Sequence, residues 1–452
     1  MSRFTRRSLL AASAVFAAER AFAQGRRAPA PAPDVSRSGS VDAVVVGAGA
    51  AGIAAARRLI AAGQRIVVLE AADAIGGRCV TDTKTFSVPY DRGAHWIYAA
   101  DANPLARLAP QTGFDLYPAP PGQRMRIGRR YAREAEMEDF LANLVRANTG
   151  IADAARRGDI ACAQALPKDL GEWRSTIDFA LGPYGCSKDL SDVSVVDLAR
   201  SADRDNSVFC RQGLGVLLEK LAASLPIQLS APVRVIEWWS RRRIIVQTTK
   251  GQFRTDAVIV TASTNVLAGG KIRFEPELPN RVREAITKLK LGSRDHVALE
   301  LSGNPLALRR DELVFEKSES RRTAAIFANV YGSTLCVVDV GGSFGRELAA
   351  KGEAAMIDFA IDWLNGLYGL DMRGFVKRSS ATRWDYEPWV LGASSCAAPG
   401  AQSARKTIME PLSGRLFLAG EAAHETLWGT VGGAWESGER AAADALRAIR
   451  GR

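Results

Sequence analysis

Histidine is scarce: 452 residues hold only three, His95, His296 and His424, far apart in sequence. Their separation argues against a metal site built on clustered imidazoles. Cysteine is nearly as sparse, and the six at 79, 162, 186, 210, 336 and 396 form neither a C-x-x-C pair nor a zinc spacing. Beyond the first residues no apolar run approaches the roughly 20 residues that a transmembrane helix requires. No internal repeat is visible. The net charge is +11, yet the basic residues are scattered rather than gathered into a nucleic-acid footprint. Their densest group, Arg241-Arg242-Arg243, falls between two strand patterns and reads as a solvated hairpin tip.

The chain begins with signals of export. Arg3, Arg6 and Arg7 precede an apolar stretch from Leu9 to Ala18, and Ala21-Phe22-Ala23 offers an A-x-A cleavage site. Residues 1–23 therefore read as a secretory signal peptide, after whose removal no membrane insertion is expected. Thr5-Arg6-Arg7-Ser8-Leu9-Leu10 resembles a bacterial twin-arginine signal, with the general secretory route as the alternative. The twin-arginine route carries proteins already folded around a cofactor, so the periplasm is the expected location and disulfides are not required. Residues 24–37 form a linker whose alternating Ala-Pro run is stiff and extended.

After the linker the pattern becomes that of a nucleotide-binding unit. Asp42 to Val46 is an apolar, β-branched strand; Gly52 to Ala62 is alanine-rich and ends at Gly63, a helix stop; Ile66 to Glu70 is a second buried strand. Between the first strand and the helix lies Gly47-Ala48-Gly49-Ala50-Ala51-Gly52. In such a turn the first glycine allows the bend, the second admits a pyrophosphate, and the third lets helix and strand pack closely. Glu70, followed by Ala71, stands where a carboxylate accepts ribose hydroxyls. These features serve NAD or FAD alike; Gly76-Gly77-Arg78 tips the choice to FAD by bringing a turn and a guanidinium to the phosphates.

A second group of motifs lies at the far end. Arg415 to Ala419 is a strand leading to Gly420-Glu421, and Gly429-Thr430-Val431-Gly432-Gly433-Ala434 opens a closing helix. Its first N–H groups and the positive end of its dipole suit the negative charge that develops on a reduced flavin ring. Between the two ends, Val233–Glu237 and Ile244–Thr248 form a hairpin pattern, and Ala257–Thr261 returns towards the nucleotide sheet. The expected fold class is α/β. A Rossmann-like FAD-binding domain with a doubly wound parallel sheet, from 38–98, 211–272 and 390–452, interleaves with a mixed α+β substrate domain from 99–210 and 273–389.

With these residues laid out, the chain resembles the flavin-containing amine oxidase family, of monoamine and polyamine oxidase type, from Val41 to Ala442. The likeness rests on the glycine turn with Glu70 and Gly76-Gly77-Arg78, on Asp91-Arg92-Gly93-Ala94-His95-Trp96-Ile97, on Phe274 to Pro279, and on Trp384, Pro388, Gly392 and Pro399-Gly400. The two C-terminal motifs complete it. The resemblance implies that Glu70 binds the adenosine ribose and Arg78 the phosphates. It implies that Gly93, Ala94, His95 and Trp96 run along the flavin, that Val233 meets the adenine, and that Glu421 holds the ribityl or phosphate region. Thr430, Val431 and Ala434 would lie beneath the ring, and Trp384 either packs near it or belongs to the core.

Three departures from the family pattern bear on chemistry. Where many relatives carry a lysine that holds a water near flavin N5, counting from Gly292 reaches His296, either that anchor or an ordinary strand residue. Where animal monoamine oxidases carry the thioether cysteine, Ala393 stands, with Cys396 nearby, so the FAD is expected to be non-covalent. The aromatic pair that sandwiches the amine is replaced by Ser394 and Thr430; Trp389 and Trp428 are the neighbouring aromatics that either face the substrate or pack in the core. The expected reaction is oxidation of an amine by hydride transfer to flavin N5, giving an imine that hydrolyses to an aldehyde or ketone. Reoxidation falls to O2, with H2O2 formed, or to a periplasmic electron carrier. An L-amino-acid oxidase, an oxidase of a non-amine such as a polyene or porphyrinogen, and a flavin-binding protein without turnover are the other readings. The sequence places no arginine for an amino acid's carboxylate.

Overall fold

The computed structural model describes residues 39–120, 122–202, 206–239 and 243–451. The export signal, the linker, and Arg241 and Arg242 of the hairpin tip lie outside the described residues.

Two sheets organise the chain. The first runs, by neighbouring strands, Arg273–Glu275, Val233–Glu237, Ile244–Thr248, Gly251–Val260, Gly39–Val46, Ile66–Leu69 and Ile227–Gln228. Gly39–Val46 pairs in parallel with Ile66–Leu69 on one side and Gly251–Val260 on the other. The long strand Gly251–Val260 gives its first half to Ile244–Thr248, antiparallel, and its last residues to Leu416–Leu418, parallel. The parallel centre is apolar on both faces: Val44, Val45, Val67, Val68, Val258 and Ile259 are fully buried, as a sheet covered on two sides demands. Its hairpin of Val233–Glu237 and Ile244–Thr248 pairs as the sequence pattern implies. One boundary moves. Arg273–Glu275, placed in the substrate domain by sequence, pairs with Val233–Glu237 and extends this first sheet.

The second sheet runs Val376–Ala381, Arg294–Leu301, Leu335–Gly341, Ala325–Ala328, Glu312–Glu316, Arg124–Ile127 and Arg130–Tyr131. It is antiparallel except where Glu312–Glu316 meets Arg124–Ile127. Leu299, Ile326, Val338 and Leu364 belong to one of its cores, closed by the helix Glu353–Tyr368. Phe140 and Trp173 belong to another, under the long helix Glu134–Arg157. Among the described residues no helix is long and apolar enough to cross a membrane.

The two ends of the described chain meet at small residues. The helix Ala50–Ala61 lies against the closing helix Val431–Arg450, whose buried face carries Trp435, Gly438, Ala441, Ala442 and Ala445. A Cβ on Gly438 would collide with the Ala51 carbonyl oxygen. A Cβ on Gly52 would collide with that of Gly47. Contact this close leaves no slack for a side chain. Gly438→Val should therefore cost about 1–3 kcal/mol through overpacking, read as a lower denaturation midpoint with an unchanged m value.

Candidate active site

A cavity of about 480 Å³ takes its walls from both sheets and from both ends of the chain. At one end lies the glycine turn. Gly47 holds φ +102°, a conformation L side chains avoid. Gly49 bridges to Gly76, so the two glycine loops meet. The helix Ala50–Ala61 starts at this wall with neither a capping side chain nor an acidic residue in its first turn. Its open N–H groups and positive dipole end suit a phosphate. Gly49 and Ala51 line the cavity beside this turn; Gly52 does not, and serves the packing of helix on strand.

Glu70, Ala71 and Val233 line the same end. Each Glu70 oxygen accepts one backbone N–H, Oε2 from Ala48 at 2.6 Å and Oε1 from Ala72 at 2.9 Å. A carboxylate keeps further lone pairs for ribose hydroxyls after such bonds. Burial raises the pKa of this group, and the backbone donors oppose the rise.

The middle of the cavity is walled by Gly77, Arg78, Gly93, Ala94, His95, Trp96 and Trp384, and from the far end of the chain by Gly420, Glu421, Thr430, Val431 and Ala434. A Cβ on Gly93 would strike the Arg78 carbonyl oxygen and come within 2.9 Å of the Trp384 ring. Trp384 is thus pressed to the Gly93 backbone, and its indole N–H donates to the Arg92 carbonyl at 3.1 Å. Thr430 caps the closing helix, its hydroxyl accepting the Gly433 N–H at 3.0 Å. Glu421 gathers the region: it accepts from Arg78 Nη1 at 2.9 Å, Ser395 Oγ at 2.7 Å and the Gly429 N–H at 2.9 Å. Burial would raise its pKa, but Arg78, Ser395 and Arg405 prevail and hold it below the ordinary value. Arg78 is accordingly drawn to Glu421, and to the Ala393 carbonyl at 2.5 Å, rather than standing free for phosphate. An uncapped helix start, a ribose-height carboxylate and a second helix N-terminus on one cavity together fit an FAD.

The remaining wall comes from the second sheet. Strand alternation puts Arg294 and His296 on the cavity face and Asp295 on the other. Asp339, directly across from His296 in the antiparallel register, completes the group. Its Oδ1 is 2.5 Å from His296 Nδ1 and its Oδ2 is 3.1 Å from Arg294 Nη2. Arg294 Nη1 donates to the Tyr184 carbonyl at 2.8 Å. Burial alone would raise the Asp339 pKa, but Arg294 and His296 outweigh it and bring it to about 2.

Ser394 lines the cavity with its Oγ 2.9 Å from that of Ser187. Trp389 also lines it, with Lys271 Nζ 5.1 Å over its ring. Trp428 does not face a substrate. It is fully buried in the core, its indole N–H reaching the Asp197 carbonyl and the buried Arg405 guanidinium lying over its ring. The large ring fills the space beside the Arg405–Asp197 ion pair, which holds it off the cavity. Cys396 is likewise buried, and its thiol donates to the Cys186 carbonyl. Cys79 does line the cavity, but burial pushes its thiol up to about 12.

Sequence reading did not find Arg294, Asp339, Ser187, Tyr98 or Phe327. Arg294 lies only two residues before His296, so strand periodicity could have paired them. Asp339 is joined by a long-range register that no local signal marks. Because its native pKa is depressed, the stability Asp339 contributes is fully present above the ordinary 3.8 and is lost as pH falls through about 2. Asp339→Asn should flatten the acid limb of thermal stability between those values while lowering stability at neutral pH, as melts across a pH series would show.

Comparison with known proteins agrees with this geometry. The family profile described as flavin containing amine oxidoreductase matches residues 50–160 and 159–446. Lysine-specific histone demethylase 2 of Homo sapiens is 29% identical over 441 residues, covering 88% of this chain and 52% of that protein. The chain thus spans about half the length of the demethylases it matches. Probable polyamine oxidase 4 of Arabidopsis thaliana is 26% identical over 90% of this chain and 87% of its own. Among solved structures, putrescine oxidase bound to putrescine superposes with a TM-score of 0.76 at 20% identity, covering 91% of this chain and 100% of that one. Cyclohexylamine oxidase from Brevibacterium oxydans gives 0.74 at 20%, covering 90% and 99%. The chain belongs to the flavin-containing amine oxidoreductases.

Proposed function

We propose that this protein oxidises a small-molecule amine with a non-covalently held FAD and that it works in the periplasm. The observation that carries the reading is one cavity joining a nucleotide cradle to the His296–Asp339–Arg294 group. When bound, FAD supplies the acceptor for a hydride from the amine's C–H bond, and the chain supplies position and electrostatics. The N-terminus of Ala50–Ala61 would hold the pyrophosphate, Glu70 the ribose, and the start of Val431–Arg450 the ring's electron-rich edge. The 99–210 and 276–389 segments, which supply the second sheet, would form the substrate wall.

His296 would anchor a water beside the reacting centre. Asp339 faces Nδ1, which leaves Nε2 for the cavity. Arg294 keeps Asp339 ionised and so keeps this orientation. An amine is favoured over an amino acid because the Arg294 guanidinium is already paired with Asp339, which neutralises its charge, and donates to the Tyr184 carbonyl. Ala393 at the thioether position and the high thiol pKa of Cys79 support a non-covalent flavin. The Arg6-Arg7 signal supports export, and O2 is the acceptor we favour over a periplasmic carrier.

Anaerobic mixing with a panel of amines and amino acids should bleach the flavin band with amines; bleaching by amino acids alone would replace this reading. Air should restore the band within seconds, whereas hours would point to a protein electron carrier. His296→Ala should slow the bleaching at least tenfold with flavin content preserved, and His296→Lys should recover part of the loss. Acid precipitation should release all of the flavin into the supernatant.

A further inference from the structure

His95 also lines the cavity, and none of the steps above uses its ring. Its Nδ1 is 2.9 Å from Asp91 Oδ2. Asp91 is buried and held from two more sides: Oδ1 accepts the Leu214 N–H at 3.0 Å and the Thr81 hydroxyl at 2.5 Å. A carboxylate fixed in this way accepts a hydrogen bond from Nδ1–H, which fixes the proton on Nδ1 and leaves the lone pair on Nε2. That atom is buried and has no hydrogen-bond partner among the described residues.

The walls around the ring cannot serve it. Phe209 lies 4.3 Å away between ring centroids, Phe327 5.6 Å and Tyr331 5.9 Å, and the Tyr331 hydroxyl is committed to the Cys210 carbonyl. Tyr331 and Asn329 hold left-handed backbone at φ 58° and 52°, a conformation that persists only where the surroundings enforce it. A buried acceptor in an aromatic box, opening on a cavity, needs a donor from outside the protein.

We infer that His95 Nε2 takes the proton that an alkylammonium substrate must shed before its C–H bond is oxidised. The inference rests on the amine reading. The step is a proton transfer alone. One N–H bond of the ammonium breaks, its electron pair stays on the amine nitrogen, and the proton bonds to Nε2, giving an imidazolium that faces Asp91. No electron is gained or lost by either partner. The need is physical: an alkylamine with a pKa of about 10 is almost wholly protonated at neutral pH, and its nitrogen then has no lone pair to assist hydride departure.

The other ionisable groups near the ring do not compete. Burial pushes Cys210 up to about 12 and raises Tyr331 and Tyr117 above their ordinary values, leaving them neutral. Arg211 and Arg310 stand beyond Tyr117, each 5.2 Å from its ring centroid. Asp311 accepts the Tyr331 N–H and pairs with Arg310. Asp91 is the charge in contact with the imidazole.

The test is stopped-flow flavin reduction without oxygen, using an alkylamine and a fluorinated analogue that is already neutral at about pH 7.5. His95→Gln keeps the polarity and cannot titrate. It should slow reduction by the alkylamine about 100-fold near pH 7 and less than about threefold near pH 10, and should slow the fluorinated amine less than about threefold at both. Equal losses with both amines, or no loss, would overturn the inference while leaving the amine reading intact. A wild type reduced by neither amine would remove both. Should His95→Gln not retain flavin, the wild type decides: its rate with the alkylamine should be flat from about pH 8 to about pH 10. A tenfold rise per pH unit over that range would mean that the substrate arrives already neutral, and would refute the role of His95.

Discussion

The contact between the opening helix and the closing helix is the constraint on which the site depends. Gly438 against the Ala51 carbonyl and Gly52 against the Gly47 carbonyl bring backbone to backbone, and only glycine permits either approach. Two helix N-termini are thereby placed on one cavity, those of Ala50–Ala61 and Val431–Arg450. Each exposes N–H groups that no intrahelical carbonyl can satisfy. A dianionic pyrophosphate and an electron-rich ring are the kinds of partner that such ends attract.

Charge inside the cavity is arranged to reinforce that clasp. Glu421 links Arg78 of the first motif to Gly429 at the entry of the last helix, and Ser395 ties it to the fully buried Arg405–Asp197 pair. Breaking a buried ion pair on one side leaves an uncompensated charge, so the chain holds these groups with several bonds each. The second sheet repeats the device on a smaller scale, where one aspartate, Asp339, serves Arg294 and His296 together. The cavity therefore carries two imidazoles, each backed by its own carboxylate: His296 by Asp339 and His95 by Asp91. One stands on the second sheet and the other on the loop that follows Asp91, so the cavity carries them on two independently built walls.

Much of the nucleotide half was legible because its signals are local. The parallel strands Gly39–Val46 and Ile66–Leu69 are short apolar runs, the turn between strand and helix is marked by glycines, and the carboxylate at the strand tip follows at once. Ends shifted by a residue or two: the helix begins at Ala50 rather than Gly52, and the strand extending back from Val260 begins at Gly251 rather than Ala257. The boundary at 272 failed for a physical reason. Arg273–Glu275 finds a free edge on Val233–Glu237, and edge pairing is a tertiary event with no composition of its own. Trp428 stayed open between substrate and core for a similar reason, since whether an aromatic faces a cavity or fills a core depends on what packs beside it, here Arg405.

What the sequence determined by itself is the set of backbone conformations and charges that a dinucleotide demands: glycines where φ must be positive or contact must be close, an acid at a strand tip, and a helix start without a competing cap. These requirements act over a few residues, so they leave a readable pattern. What only the tertiary structure decided is which side chains share the rest of the cavity wall. Asp339 meets His296 through an antiparallel register, Ser187 meets Ser394 across the cavity wall, and Phe209 closes on His95 from the strand Val208–Cys210. Those meetings join residues far apart in the chain, and no local propensity encodes them; they follow from how two sheets are brought together around one space.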